Sequence, residues 1–183
     1  MYKRQLIASL PHIQIYRDPP FSSQEYLNIC SDHVSDSQLL LLNALVNNET
    51  SCVIKSFYTN QWFNAEIQLK NAISKQRAQI RGVDVKPFIH DHANFIGFIE
   101  TKVQEAFNTD NPFDLEQLLD QTRWDLAEEF IGADNYGFSK LAAYAIQLRI
   151  VNRWYDRSNE KGQTNLEDII TKNTESDSAV VKL

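Results

Sequence analysis

The strongest hydrophobic pattern of the chain lies between Phe138 and Tyr155, a stretch that contains neither Gly nor Pro. Its apolar positions recur at the three-and-four spacing of a helical face and spread around the sides, which leaves a narrow polar stripe. The apolar positions are Leu141, Ala142, Tyr144, Ala145, Ile146, Leu148, Ile150, Val151 and Trp154, and the stripe is Arg149, Asn152, Arg153 and Asp156. A helix with so little polar surface is normally covered on several sides, so the pattern predicts a central, buried helix.

A second pattern predicts a long helix from about Phe57 to Arg81, with Gly82 as its C-terminal cap. At 1.5 Å per residue this helix is a rod of roughly 37 Å. Glu66 and Lys70 have the spacing of a favourable pair on its surface. Its apolar residues form one stripe close to a coiled-coil seam, made of Tyr58, Trp62, Ala65, Leu69, Ile73 and Ile80.

Shorter helices are predicted from their start and stop signals. Ser22 with Glu25 and Ser35 with Gln38 have the spacing of capping boxes, and Asn111-Pro112 places a cap before a first-turn proline. The predicted helices span about 22–34, 38–46, 93–107 and 113–131. Residues 1–20 are expected to form an extended arm with a helical turn, and 166–170 one last short helix.

The predicted fold class is all-α, a bundle of about six to seven helices with one long helix. The short turn 132–137 is expected to fold the central helix back onto the preceding one, which makes a buried antiparallel helical hairpin. We expect a single helical domain over residues 1–172 and a flexible C-terminal tail over 173–183, where apolar residues become sparse.

Composition narrows the classes of function. The 183 residues carry a net charge of −6, which disfavours nucleic acid or an anionic membrane as the direct partner. The longest apolar run, 141–146, is far short of the roughly 20 residues that span a bilayer. Cys30 and Cys52 are expected to be buried, reduced thiols of a cytosolic protein.

One motif has the character of a metal site. His90, Asp91 and His92 place two imidazoles beside a carboxylate, as in zinc or other divalent-metal sites. The corresponding hypothesis is a small metal-dependent hydrolase that uses these three residues. The alternative is a solvated loop in which Asp91 or His92 caps the following helix, and the sequence favours it because the remaining histidines, His12 and His33, are distant.

Charged and aromatic positions suggest contact surfaces rather than chemistry, and no catalytic residue or cofactor is predicted. Lys70, Arg77 and Arg81 share one face of the long helix, either as a docking strip for an acidic partner or as ordinary solvated charges. Arg149 and Arg153 are further candidates. The helix 113–131 is expected to turn its carboxylates to solvent or a partner: Asp114, Glu116, Asp120, Asp125, Glu128 and Glu129. Aromatic residues are either interface anchors or core: Phe57, Phe63, Phe95, Phe98 and Tyr155.

Two stretches taken together carry a resemblance. The first runs from Leu6 to Pro11, and the second joins Trp124-Asp125-Leu126 to the run Leu141–Trp154 after a helix that Gly132 ends. On the long helix, the resemblance extends to Trp62, Phe63, Glu66, Leu69, Asn71, Arg77 and Ala78. The chain resembles a bacterial family of helical proteins whose genes accompany those of a V-type ATPase (V-type ATP synthase), and this family is similar to the C/d class of V-type ATPase subunits.

The resemblance implies a helical fold like that of the C/d class, in a non-catalytic subunit or accessory protein of a rotary ion-translocating ATPase. Its partners would be other ATPase subunits, at the central stalk and the membrane rotor ring. It would face the cytoplasm and associate with the membrane peripherally, only through those partners. Because the chain is much shorter than the C/d-class proteins themselves, assembly into a homo-oligomer or an accessory role is expected. A helical adaptor unrelated to the ATPase is the remaining alternative.

Overall fold

The computed structural model describes residues 2–49, 56–133 and 135–157, and this part of the chain contains seven α-helices and no strand. The all-α prediction is therefore confirmed. The helices are α1 (Tyr2–Ser9), α2 (Ser23–Ser31), α3 (Asp36–Val46), α4 (Phe57–Arg81), α5 (Gly97–Phe107), α6 (Pro112–Glu129) and α7 (Phe138–Asp156), with a 3₁₀ turn at Lys86–Phe88. Cys52, the helix expected at 166–170 and the tail 173–183 lie outside the described residues.

Helix α7 is the centre of the fold, as its pattern predicts. Every residue from Leu141 to Leu148 is buried, and α2, α3, α4 and α6 all pack against this helix. Helix α5 packs instead against α4 and α6. The core is thus arranged around α7 because this helix is apolar on most of its circumference.

Helices α6 and α7 form the expected antiparallel hairpin. Gln147 Nε2 donates to Glu128 Oε1 near the connection, whereas Asp120, earlier on α6, contacts Arg153, later on α7. The pairing therefore runs in opposite directions along the two helices.

Local signals place most helix ends correctly. The capping boxes at Ser22 and Ser35 are both present, and Asn111 caps α6 ahead of Pro112. Helix α4 has the predicted bounds and is capped by Gly82, whose φ of +66° is the left-handed conformation that glycine adopts without strain. Helix α1 is longer than the single turn that we expected.

The start of α5 was predicted wrongly. The helix begins at Gly97 rather than near Ala93, and its N-cap residue, Ile96, makes no side-chain capping hydrogen bond. Neither Asp91 nor His92 caps it, so that expectation is also wrong. The reason is tertiary: the backbone of His90, Ala93 and Ile96 is hydrogen-bonded to side chains of α4, as described below.

Candidate functional site

A cluster of buried charges joins α4 to α6. Glu66 on α4 is 2% exposed and Asp120 on α6 is fully buried. Arg123 lies between them, with Nε 3.1 Å from Glu66 Oε2 and Nη1 3.1 Å from Asp120 Oδ1. Each buried carboxylate thus has a cationic hydrogen-bond donor, which is the condition for keeping a charge out of water.

Asp120 also binds α7. Trp154 Nε1 donates to Asp120 Oδ2 at 2.8 Å, and the Arg153 guanidinium forms an ion pair with the same carboxylate. Arg153 lies 3.8 Å from Glu116 as well. The expectation that Asp120 is solvated is therefore wrong: its carboxylate connects α6 with α7 inside the protein.

Arg149, a predicted interaction residue, is used within the fold. Its Nη1 donates to the Leu45 carbonyl at 3.0 Å and to Asn48 Oδ1 at 2.7 Å. The guanidinium carbon lies 6.0 Å from the centre of the Trp62 ring, a cation–π distance. Burial lowers the pKa of Arg149 to about 10, and the nearby Glu66 carboxylate acts in the opposite direction. This side chain ties α7 to the end of α3.

Next to the ion cluster, and lined in part by its Arg123 and Arg153, is an open cleft of about 510 Å³, which we call the basic cleft. Its walls come from α4, the loop after α4, α6 and α7. They are Lys70, Ile73, Ser74, Arg77, Pro87, Phe88, His90, Glu116, Leu119, Arg123 and Arg153. Four cationic side chains thus face one cleft with a single wall carboxylate, Glu116.

The basic cleft brings together residues that the sequence marks separately. Lys70 and Arg77 belong to the predicted strip on the long helix, His90 to the histidine motif and Arg153 to the last helix. Arg81, the third member of the strip, is exposed but does not line the cleft. Whether these cations bind a partner stays a prediction.

The histidine motif does not assemble a metal site within the described residues. His90 is positioned through its backbone, and the ring of His92 is hydrogen-bonded by Nδ1 to the Asn94 carbonyl at 2.9 Å. Among the residues described, no three His, Cys, Asp or Glu side chains are grouped closely enough to hold a metal ion. No observation there favours the metal-dependent hydrolase.

The wall formed by the loop is held by a row of three amide side chains on α4, which the sequence reasoning missed. Asn71 donates to the His90 carbonyl at 2.7 Å and accepts from its N–H at 3.0 Å. Gln68 does the same with Ile96, at 2.9 Å in both directions, and Asn64 accepts from the Ala93 N–H at 2.7 Å. The signal was there in the spacing of the three amides at i, i+4 and i+7 on one face.

A family model, described as "Protein of unknown function (DUF2764)", matches residues 40–176. The chain belongs to this family. The matched region contains all residues of the buried ion cluster and the basic cleft. No curated protein and no solved structure matches the chain.

Exposed apolar side chains continue from the basic cleft to the end of α4. Phe88 in the cleft wall is 57% exposed, and Ile80 and Val83 are 73% and 53% exposed. The prediction that Ile80 is covered by the seam is wrong. Ile80 follows the buried Ile73 by two helical turns and so lies on the same face, but no helix of the described part covers the face there.

The aromatic candidates divide between core and surface. Phe63 is buried in the core and Phe98 packs partly against it. Phe57, Phe95 and Tyr155 are exposed.

In the described part of the chain, none of the helices combines the length and the hydropathy needed to cross a bilayer.

Proposed function

We propose that this protein is a non-catalytic component of a V-type ion-translocating rotary ATPase, either a subunit similar to the C/d class or an accessory protein. The observation that carries the proposal is that the stretches with the family resemblance meet in space. Tyr144 donates its hydroxyl to the Pro11 carbonyl at 3.0 Å, and Leu10, Pro11, Trp124 and Tyr144 line one cavity of about 460 Å³. Residues far apart in the chain thus form one contiguous structural unit, as a shared fold requires.

The mechanics of the fold also support the proposal. A component that links a central stalk to a membrane rotor has to transmit force without bending. Helix α4 has 25 residues, and Arg123 joins it to α6 through buried ion pairs. Asp120 extends the same cluster to α7. Three helices are therefore connected by charges that are costly to separate.

In this proposal the chain faces the cytoplasm and contacts the membrane only through the other ATPase subunits. Its partners are the central stalk and the rotor ring, and it acts as a homo-oligomer or as an accessory protein. It has no activity of its own.

Co-purification with the membrane complex tests the proposal. Membranes that carry the intact ATPase are isolated, and the chain is quantified with antibody before and after a wash that removes the peripheral sector. We expect the chain to be retained and then released together with the peripheral subunits. A control is the same preparation from cells in which the ATPase genes are deleted, where retention should be lost.

If the chain stays soluble, or is retained equally without the ATPase, the proposal is wrong. The first outcome would favour a helical adaptor that is unrelated to the ATPase.

A further inference from the structure

Two cations of the basic cleft, Lys70 and Arg77, are poorly compensated by carboxylates. Lys70 Nζ is 3.9 Å from Glu66 Oε1, and that carboxylate is already bound by Arg123. Arg77 makes no ion pair with any described residue. Arg153 pairs with two carboxylates, but its Nε is buried and has no hydrogen-bond partner among the described residues. Positive charge is thus available in a chain whose net charge is −6.

We call three exposed apolar side chains the apolar rim: Phe88, Ile80 and Val83. Phe88 belongs to the cleft wall, and Ile80 lies one helical turn beyond Arg77. Val83 follows directly after Gly82, at the end of the helix. Exposed apolar side chains of this size are typical of surfaces that bind a partner.

We propose that the basic cleft and its apolar rim bind an acidic, amphipathic segment of a partner protein. Its carboxylates pair with Lys70 and Arg77, and its apolar residues cover Phe88 and Ile80. The inference rests on the proposed function in taking the partner to be a protein of the same complex. It adds the surface that binds and the chemistry of the segment that is bound.

Charge and shape favour this occupant over other anions. A small anion would leave the apolar rim uncovered, and Arg123 and Arg153 in this cleft are already paired with carboxylates of the chain. A nucleic acid would place its phosphates next to Glu116 and against the net negative charge of the chain. A peptide with a few carboxylates and apolar residues on one face matches both parts of the surface.

The test uses the full chain and a fluorescein-labelled probe peptide with Glu on one helical face and Leu and Phe on the other. Binding is measured by fluorescence anisotropy at low and high salt. We expect Arg77→Glu to weaken binding by about tenfold, because charge pairs across an interface typically contribute on that order. We expect Phe88→Ala to weaken it by a similar factor through the loss of apolar contact, and high salt to weaken it as well.

Two controls separate the site from general charge effects. Arg17→Glu changes the net charge by the same amount as Arg77→Glu at an exposed position away from the cleft, and should alter the affinity by less than about twofold. A probe in which Ser replaces Leu and Phe should bind about tenfold more weakly than the original. Thermal unfolding of each variant checks that it is folded.

Several outcomes would overturn the inference. The probe could fail to bind, or Arg17→Glu and Arg77→Glu could lower its affinity equally. Phe88→Ala could leave the affinity unchanged. A single-stranded oligonucleotide could displace the probe at a lower concentration than the unlabelled peptide does. Binding at this surface by a chain that does not co-purify with the ATPase would leave the site standing and remove the proposed function. Co-purification with the ATPase without probe binding would leave the proposed function standing and remove the site.

Discussion

Asp120 concentrates three interactions on one buried carboxylate. It accepts hydrogen bonds from Arg123 on its own helix and from Trp154 on α7, and it forms an ion pair with Arg153. Ion pairs of this kind add little net stability compared with an apolar core, because burying the charges costs free energy. Removing one partner is different, because the remaining charges stay buried without compensation.

We therefore expect Asp120→Ala to lower the free energy of unfolding by about 3–5 kcal/mol, since two guanidinium groups lose a buried carboxylate. Urea unfolding measures the change. Asp125 is the matched control on the same helix: it is exposed and accepts a hydrogen bond from Gln121 Nε2. Asp125→Ala should cost less than about 1 kcal/mol. Equal losses in the two variants would contradict the central role of Asp120.

At the scale of the elements, the amide row on α4 explains why the segment before α5 is not helical. Asn64, Gln68 and Asn71 satisfy backbone groups of the segment with side chains rather than with helical hydrogen bonds. The segment is thereby fixed along α4, and its first residue, His90, becomes part of the basic cleft. Helix α4 thus supplies Lys70 and Arg77 to the basic cleft and also positions the loop wall that contains His90.

Asn71→Ala should release this wall locally. The His90 N–H loses its acceptor and the His90 carbonyl loses its donor, so we expect hydrogen exchange of the His90 amide to accelerate by about tenfold. The Ile96 amide, which Gln68 holds, should stay protected and is the internal reference. Gln79→Ala, an exposed amide on the same helix, is the matched control. An unchanged rate at His90 would contradict the role given to Asn71.

At the scale of the whole molecule, buried tyrosine hydroxyls connect segments that are far apart in the chain. Tyr26 on α2 donates to the Leu141 carbonyl on α7 at 2.7 Å, and Tyr58 on α4 donates to the Ala127 carbonyl on α6 at 3.0 Å. Burial raises the pKa of both phenols well above the ordinary value of 10, and the neighbouring Cys30 adds to the shift at Tyr26.

These shifts predict a loss of stability at alkaline pH. Below about pH 10 both phenols are protonated in the folded and the unfolded chain, so they contribute no pH dependence. Above it the unfolded chain releases the protons that the folded chain keeps. The free energy of unfolding should therefore fall by about 1.4 kcal/mol per pH unit for each of the two tyrosines.

Urea unfolding on either side of pH 10 measures this slope, and Tyr58→Phe should remove the part that Tyr58 contributes. Tyr136→Phe, which removes an exposed rather than a buried phenol, is the matched control. A stability that is independent of pH above 10 would show that the buried phenols ionise without unfolding.

The helices of this protein follow from interactions over a few residues. The signals that set the helix ends act within one helical turn, so they can be identified from the sequence. They are the capping pairs at Ser22 and Ser35, the Asn111-Pro112 start and the glycine at position 82. The burial of α7 could also be predicted from the sequence, because its apolar surface extends around most of the helix.

Which polar groups are buried was decided by the tertiary structure. Asp120 and Asp125 are both carboxylates of α6, and Arg123 lies three residues after Asp120 on the same helix, but only the packing of α6 against α7 brings Arg153 and Trp154 to Asp120. Ile80 has the local setting of a seam residue, yet no described helix reaches it. Lys70, Arg77, His90 and Arg153 line one cleft only because three distant segments pack together. Helical periodicity records the face on which a residue lies, whereas the partner of that face depends on contacts between distant parts of the chain.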